Sequence, residues 1–318
     1  MDKRKKFSLI IPVAPDRNIE ILNSIKNLDY PKPEFHVIVV RGRNPSENRN
    51  RGALRALGEI IVFLDDDGVL ERDYLKKAEE FFDKNKEIDI VGGPQLTPKD
   101  EKGFAKISGY ALSSKFGAWK VSKRYYCSQE KHGVDETCLT SANLLCRRKV
   151  IERIKFEPKL FPGEDPKFIS DARKQGFNIA YSPDIIIYHR RRNTTGSLIK
   201  QIFNYGKVRP EKEKFLETLK MPFFLVPSFF AVYLMLLIFS IIFRPSIAIA
   251  AIKLDKIALE FLWIVPFIAY LVLIFLFSLY DSLSNKDFKA IFILPFIYPM
   301  IHLSYGIGMI YGYIKKLR

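Results

Sequence analysis

Three consecutive carboxylates, Asp65-Asp66-Asp67, follow the apolar run Ile60-Ile61-Val62-Phe63-Leu64, and that order gives them chemical meaning. Large apolar residues in an unbroken row predict a strand buried on both faces, as in a parallel sheet. Ligands of open α/β sheets bind outside the carboxyl ends of such strands, so the carboxylates stand where a substrate would be held. Oxygen donors of this kind suit Mg2+ or Mn2+. Asp side chains are short, so Asp65 and Asp67, two positions apart, either grip one metal together or divide between a metal and a substrate hydroxyl. An acidic turn that merely closes a strand is the alternative without chemistry.

The surrounding pattern supplies the scaffold. Strands are predicted over Phe7–Val13, Phe35–Val40, Ile60–Leu64 and Ile88–Val91, alternating with helical spacing over Asn18–Leu28, Glu47–Leu57 and Glu71–Lys84. Linkers such as Asp29-Tyr30-Pro31-Lys32-Pro33 and Gly42-Arg43-Asn44-Pro45-Ser46 punctuate them. This rhythm predicts a doubly wound α/β sheet with parallel, right-handed crossovers. Residues 94–140 mix Gly, Ser, Lys and aromatics and predict a loop-rich wall over the sheet. Order returns at Ala142–Arg148, in a helix after Gly163-Glu164-Asp165-Pro166 that Gly176 ends, and in short strands near Asn178–Tyr181 and Ile185–Tyr188.

The last third of the chain is membrane-like. Met221–Phe243 holds no charged side chain, Ala258–Tyr280 holds only Glu260, and Ala290–Tyr313 is again apolar. Each stretch exceeds the ~20 helical residues that cross a bilayer core. Residues 193–220, with Leu198, Ile199, Ile202, Phe203 and Tyr205 near helical spacing, predict an amphipathic segment lying on the membrane surface before the first span. The expected divisions are therefore a catalytic domain over 1–192, an interfacial segment over 193–220 and a transmembrane region over 221–318. Three crossings would place Lys315, Lys316 and Arg318 opposite the first domain, against the positive-inside tendency. A re-entrant or tilted last stretch, or a dominant basic flank before Met221, are the open alternatives.

Charge and cysteine content narrow the class. The net charge is +16, and residues 221–318 carry 8 Lys/Arg against 4 Asp/Glu, leaving 43 against 31 in the first 220. A basic domain tethered to a bilayer suits anionic headgroups or phosphorylated substrates. Nucleic acid is disfavoured, because no interleaved aromatic and basic recognition motif is present. Cys127, Cys138 and Cys146 form neither a CxxC pair nor an even framework, and His132 between the first two lacks finger spacing. The basic start at Lys3-Arg4-Lys5-Lys6 imitates a signal peptide, but its apolar run is short and broken by Pro12 and Pro15. A reduced, cytoplasm-facing first domain is expected.

Several ordered pieces together resemble a family-2 inverting glycosyltransferase of GT-A fold with C-terminal transmembrane helices. They are Ile10-Ile11-Pro12-Val13, Asn48-Arg49-Asn50-Arg51-Gly52, Asp65-Asp66-Asp67, Gly163-Glu164-Asp165 and Tyr188-His189-Arg190, covering about residues 7–210. The resemblance implies a nucleotide-diphosphate sugar donor and a divalent cation, Mn2+ or Mg2+, on Asp65, Asp67 and His189. It implies donor contacts from Pro12, Val13, Arg41, Asn48, Arg49, Asp65 and Asp66, and a diphosphate clamp from Arg190 and Arg191, with Arg192 beside them. Asp165 becomes the base that takes the acceptor proton, and Glu164 a positioning group. Asp165 before Pro166 is equally suited to cap the helix, and a cap bonded strongly to backbone N–H groups would be a weaker base.

Gln201, Tyr205, Gly206 and Arg209 resemble an interfacial motif under the acceptor, but depart from the Gln-x-x-Arg-Trp form of processive synthases. Arg41-Gly42-Arg43-Asn44 stands where many members end the second strand with Asp, so the base is not specified. The leading expectation is transfer of one sugar to a lipid-linked acceptor, either a polyprenyl phosphate or a lipid-linked glycan. A processive polysaccharide synthase and a non-catalytic membrane-tethered nucleotide-sugar-binding scaffold are the alternatives. A transporter fits poorly with one acidic residue, Glu260, near the end of a span.

Overall fold

The computed structural model describes residues 5–243 and 256–318, the side chains of residues 243 and 256–262 excepted. The chain divides into two compact units, 1–192 and 193–318. In the first unit the elements in order are β1 (Phe7–Val13), α1 (Ile21–Lys26), β2 (Phe35–Arg41), α2 (Pro45–Leu54), β3 (Ile60–Leu64), β4 (Gly68–Leu70), α3 (Tyr74–Lys84), β5 (Ile90–Gly92) and β6 (Gln95–Leu96). There follow α4 (Gly103–Ser113), α5 (Lys115–Ala118), β7 (Lys131–His132), β8 (Asn143–Arg147), α6 (Arg148–Arg153), α7 (Glu164–Lys174), β9 (Ile179–Tyr181) and β10 (Ile187–His189).

Seven strands form the main sheet in the order β2-β1-β3-β8-β5-β9-β7. β1 is parallel to β2 and β3, and β5 is parallel to β9, as long helical crossovers require. β8 runs antiparallel to both β3 and β5 and joins the two parallel halves. Every residue of β1 and β3 is buried, which explains their unbroken apolar runs, whereas β2 at the edge alternates. One apolar core lies on each face: Leu9, Val62, Tyr74 and Phe82 belong to one, Ile10, Phe63, Phe156 and Phe168 to the other.

A second, three-stranded sheet of order β4-β10-β6 positions the site. β4 begins one residue after Asp67, and β10 pairs with it antiparallel so that Gly68 stands opposite His189. The wall over residues 94–140 is more helical than expected, since α4 fills eleven residues of it with Ala105, Ile107, Ala111 and Leu112 buried. Ser and Gly diluted the apolar spacing there and hid the helix. At the end of α7, Gly176 adopts φ +81°, a left-handed conformation suited to glycine.

The second unit is helical. It comprises α8 (Thr195–Lys212), α9 (Phe215–Leu219), α10 (Val226–Phe243), α11 (Lys256–Ser284) and α12 (Ala290–Leu317). Among the described residues three stretches are long and apolar enough to cross a membrane: Pro222–Ile242, Trp263–Ser284 and Ala290–Leu317. The middle one extends past the expected end at Tyr280 to Ser284 and takes in Asp281. The Glu260 side chain lies outside the described residues.

Candidate active site

Asp65 and Asp67 leave the C-terminal end of β3 and meet His189 from the end of β10. One ligand atom from each lies within 4.8 Å of the others, a spacing at which two oxygens and one nitrogen can share a metal ion. His189 Nε2 is 3.0 Å from Asp67 Oδ1 and 3.8 Å from Asp65 Oδ2. Its Nδ1 donates to the Arg190 carbonyl at 3.0 Å, which fixes the ring and leaves Nε2 facing the carboxylates. Burial lowers the affinity of His189 for a proton, but the hydrogen bond and charge of Asp67 outweigh it and raise the pKa. Burial likewise works to raise Asp67, yet His189 and Arg17 hold it well below the usual carboxylate range. The donor set fits Mn2+ or Mg2+, and the imidazole nitrogen suits the softer of the two, Mn2+.

Asp66 turns away from this group. It is buried, pairs with Arg17 at 3.2 Å and leaves Oδ2 without a hydrogen-bond partner, and burial raises its pKa to about 6. Arg17 also reaches Asp67 Oδ2 at 2.9 Å. No local motif marked Arg17. Its signal was position alone, in the loop after the carboxyl end of β1 where α/β sites form.

Arg49 is the second organising charge. Carried on α2 and almost fully buried, it gives one terminal nitrogen to Asp65 at 2.9 Å and the other to Glu164 at 3.0 Å, with Phe156 packed 5.4 Å from its guanidinium carbon. It therefore joins the acidic cluster to the start of α7. Glu164 also accepts from the Gly163 N–H. Burial and then the neighbouring Asp165 charge push the Glu164 carboxyl from its ordinary value of 4.5 up to about 7, with Arg49 opposing.

A folded-state pKa above the unfolded value makes the neutral form the stabilising one, present below the ordinary Glu range and lost as pH rises through the folded value. Thermal unfolding of detergent-solubilised Glu164→Gln should accordingly depend less on pH between 4.5 and about 7 than the parent does.

Asp165 does not cap α7. The helix begins at Glu164 with Gly163 as its N-cap, so the expected arrangement of Asp165 as cap and Pro166 as first helical residue is corrected by two positions. The glycine turn, with the Gly163 N–H on Glu164, supplies the helix start instead. Asp165 is half-buried, and its Oδ1, itself buried, has no hydrogen-bond partner.

The remaining expected residues divide by what they touch. Pro12 and Val13 are buried in β1, and the Val13 carbonyl accepts from the Gly42 N–H at 3.0 Å. Buried Asn48 donates to the Gly42 carbonyl at 2.9 Å, and Arg41 donates to the carbonyls of Ala14, Pro15 and Arg17. These side chains shape the loops after β1 and β2. Arg190 pairs with Asp100 at 3.0 Å, while Arg191 bonds Thr97 and the Gln95 carbonyl and stacks 4.8 Å from the Tyr125 ring centre. Both arginines thus fasten β10 to the 95–125 wall. In the second unit Gln201 donates to the Tyr205 hydroxyl at 2.9 Å on an exposed face. Arg209 is buried one turn further on, 2.7 Å from Glu213 and 3.6 Å from the Phe224 ring centre.

A mostly parallel sheet with an acidic cluster at the end of its third strand, faced by a histidine from a small second sheet, is a GT-A-like fold. The model of the Glycosyltransferase like family 2 matches residues 6–204, and the chain belongs to that family. One relative, the dolichyl N-acetyl-alpha-D-glucosaminyl phosphate 3-beta-D-2,3-diacetamido-2,3-dideoxy-beta-D-glucuronosyltransferase of Methanococcus voltae, is 23% identical over 241 residues, covering 64% of this chain and 72% of that one. The poly(ribitol-phosphate) beta-N-acetylglucosaminyltransferase TarS of Staphylococcus aureus is 30% identical over 110 residues, 25% of this chain. The chain spans only 19% of the length of that relative. Among solved structures, the mannosyltransferase PcManGT from Pyrobaculum calidifontis, in complex with GDP-Man and Mn2+, matches with a TM-score of 0.56 at 17% identity, covering 93% of this chain and 87% of that one. That likeness is one of fold.

Proposed function

We propose that this protein transfers a single sugar, with inversion, from a nucleotide-diphosphate sugar to a lipid-linked acceptor at the membrane surface. The observation that carries the reading is the Asp65, Asp67 and His189 group, tied by Arg49 to Glu164 and so to an Asp165 with an unpartnered oxygen. Asp65, Asp67 and His189 would hold Mn2+ or Mg2+, which as a Lewis acid supports the charge building on the leaving diphosphate. Asp165 takes the proton of the acceptor hydroxyl as its oxygen attacks the sugar carbon. Glu164 positions the acceptor, and Arg49 keeps Glu164 and Asp65 in register. Pro12, Val13, Arg41 and Asn48 set the loops that flank the donor, Asp66 holds Arg17, and Arg190 and Arg191 fasten β10 to the 95–125 wall.

Support for a lipid-borne acceptor comes from three apolar helices and from the dolichyl phosphate-linked substrate in the name of the Methanococcus voltae relative. We assign the first unit to the cytoplasm, where nucleotide sugars are made. Residues 193–220 act as the interfacial segment and residues 221–318 as the anchor.

The test is a screen of nucleotide sugars, with Mn2+ or Mg2+ and with polyprenyl-phosphate or lipid-linked acceptors, for transfer and for donor hydrolysis. Turnover should vanish on chelation and return with the ion. Donor binding without turnover under every condition would favour the scaffold. Asp67→Asn removes one of three metal ligands and should weaken Mn2+ binding by more than the roughly 10- to 100-fold that loss of an outer-shell partner costs. Calorimetric Mn2+ titration checks this, and unchanged affinity would displace Asp67 from the ligand set.

A further inference from the structure

Helices α10 and α11 run antiparallel. The Tyr233 ring stacks on Trp263 with centres 6.3 Å apart, and its hydroxyl donates to the Trp263 carbonyl at 2.6 Å. Phe230, one turn earlier in α10, meets Tyr270, two turns later in α11, at 4.2 Å. α11 thus heads back toward the end at which α10 begins, and finishes there at Ser284. The turn into α12 is tight: Ser282 donates to the Asp287 carbonyl at 2.7 Å, and the Tyr298 hydroxyl bonds Asp281. α12 therefore starts on the side from which α10 enters.

The other end of α12 lies on that side too. Gly306 sits against the first turn of α10, where a Cβ would fall 2.2 Å from the Pro227 carbonyl oxygen. A Cβ added at Gly308 or Gly312 would likewise collide with the carbonyl oxygens of Phe203 and Lys207. Lys315 pairs with Glu211 at 3.6 Å, and Lys316 donates to the Pro210 carbonyl. The partners rise together along both helices, so the C-terminal half of α12 runs parallel to α8. Lys200, Lys207, Arg209, Glu211 and Lys212 make α8 too polar to enter a bilayer core.

We propose that α12, although long and apolar enough to cross, does not: the anchor makes two crossings, α10 and α11, and α12 docks with α8 on the leaflet at which α10 begins. A crossing helix would carry its C-terminus a core thickness of ~30 Å away from α8. Among the described residues, no stretch between Arg192 and Pro222 qualifies as a span, so the first unit and the C-terminus share one side. This arrangement gathers Lys286, Lys289, Lys315, Lys316 and Arg318 with the basic residues of 193–220 on that side, as the positive-inside tendency asks. The surface offered to lipid is the α12 stripe Ile307, Tyr311 and Ile314, each about half exposed at helical spacing.

The three cysteines provide the test. Cys127 is exposed on the first unit, while Cys138 and Cys146 are buried, so a membrane-impermeant maleimide reports the side of the first unit through Cys127. In a Cys127→Ser background, Arg318→Cys reports the C-terminus. Sealed right-side-out and inverted vesicles should label both proteins from the same face, with loss of labelling from the other. Labelling of Arg318→Cys from the face opposite to Cys127 overturns the proposal. A Glu211→Cys/Lys315→Cys pair should be bridged by a short bis-maleimide in intact membranes. Absence of bridging, with each thiol separately reactive, would equally overturn it. Neither measurement depends on sugar transfer, so this inference and the proposed activity fail independently.

Discussion

On the proposed mechanism Asp165→Asn should lower sugar transfer by about 10²- to 10⁴-fold, the range a positioned general base contributes, while donor binding and folding persist. The separation follows from what the side chain touches. Its Oδ1 has no hydrogen-bond partner and the side chain does not cap α7, so an amide of the same shape breaks no hydrogen bond at that oxygen and removes only a charge felt by Arg49 and Glu164. The amide cannot accept a proton at the required strength, and the loss falls on kcat. Steady-state transfer kinetics together with calorimetric donor titration separate these quantities. Retention of full kcat in Asp165→Asn would remove Asp165 from the mechanism, and Glu164→Gln would then identify the remaining carboxylate.

Arg49→Met should produce the largest loss of stability among the site variants, approaching about 3–5 kcal/mol as pH rises above about 7 and Glu164 must ionise without its counter-charge, and less below it, where Glu164 keeps its proton. The Glu164 half dominates: the two paired side chains are 4% and 5% exposed, whereas solvent reaches 31% of Asp65 and screens its share. Activity falls with it, since Asp65 and Glu164 lose the fork that sets their separation. Arg49→Lys keeps the charge but offers one ammonium in place of two divergent nitrogens, so it restores part of the stability and less of the activity. Thermal unfolding of the detergent-solubilised protein, read beside kcat, distinguishes the two effects. Parent-like unfolding of Arg49→Met would show that the bridge is dispensable.

Local pattern made a large part of the architecture legible. The unbroken apolar runs of β1 and β3 announced strands buried on both faces, and the acidic cluster could be placed at the end of β3 before any contact was known. The apolar stretches after Met221 announced helices long and apolar enough to cross a membrane. Hidden features were those without a period. The helix α4 is diluted by Ser and Gly, and β8 gives no sign of its antiparallel direction, because direction depends on where a fifty-residue excursion brings the chain back.

The site shows the same division. Asp65 and Asp67 were nameable from residue type and their place at a strand end, whereas Glu164, Asp165 and His189 were nameable only through the resemblance to a family. Their partners were not. Arg17 lies 50 positions from Asp67 and Arg49 lies 115 from Glu164, separations that no helical or strand period encodes. Arg191, expected in a diphosphate clamp, and Arg209, expected in an interfacial motif, are packed against Tyr125 and Phe224. By itself, then, the chain determined which groups could do chemistry and which segments could cross a membrane, because both follow from side-chain type and local spacing. Tertiary structure decided that β4 pairs with β10 to set His189 beside Asp67, and that α12 lies along α8. Those outcomes rest on strand register and on backbone approach at Gly308 and Gly312, contacts between segments far apart in sequence that form only once the chain has packed.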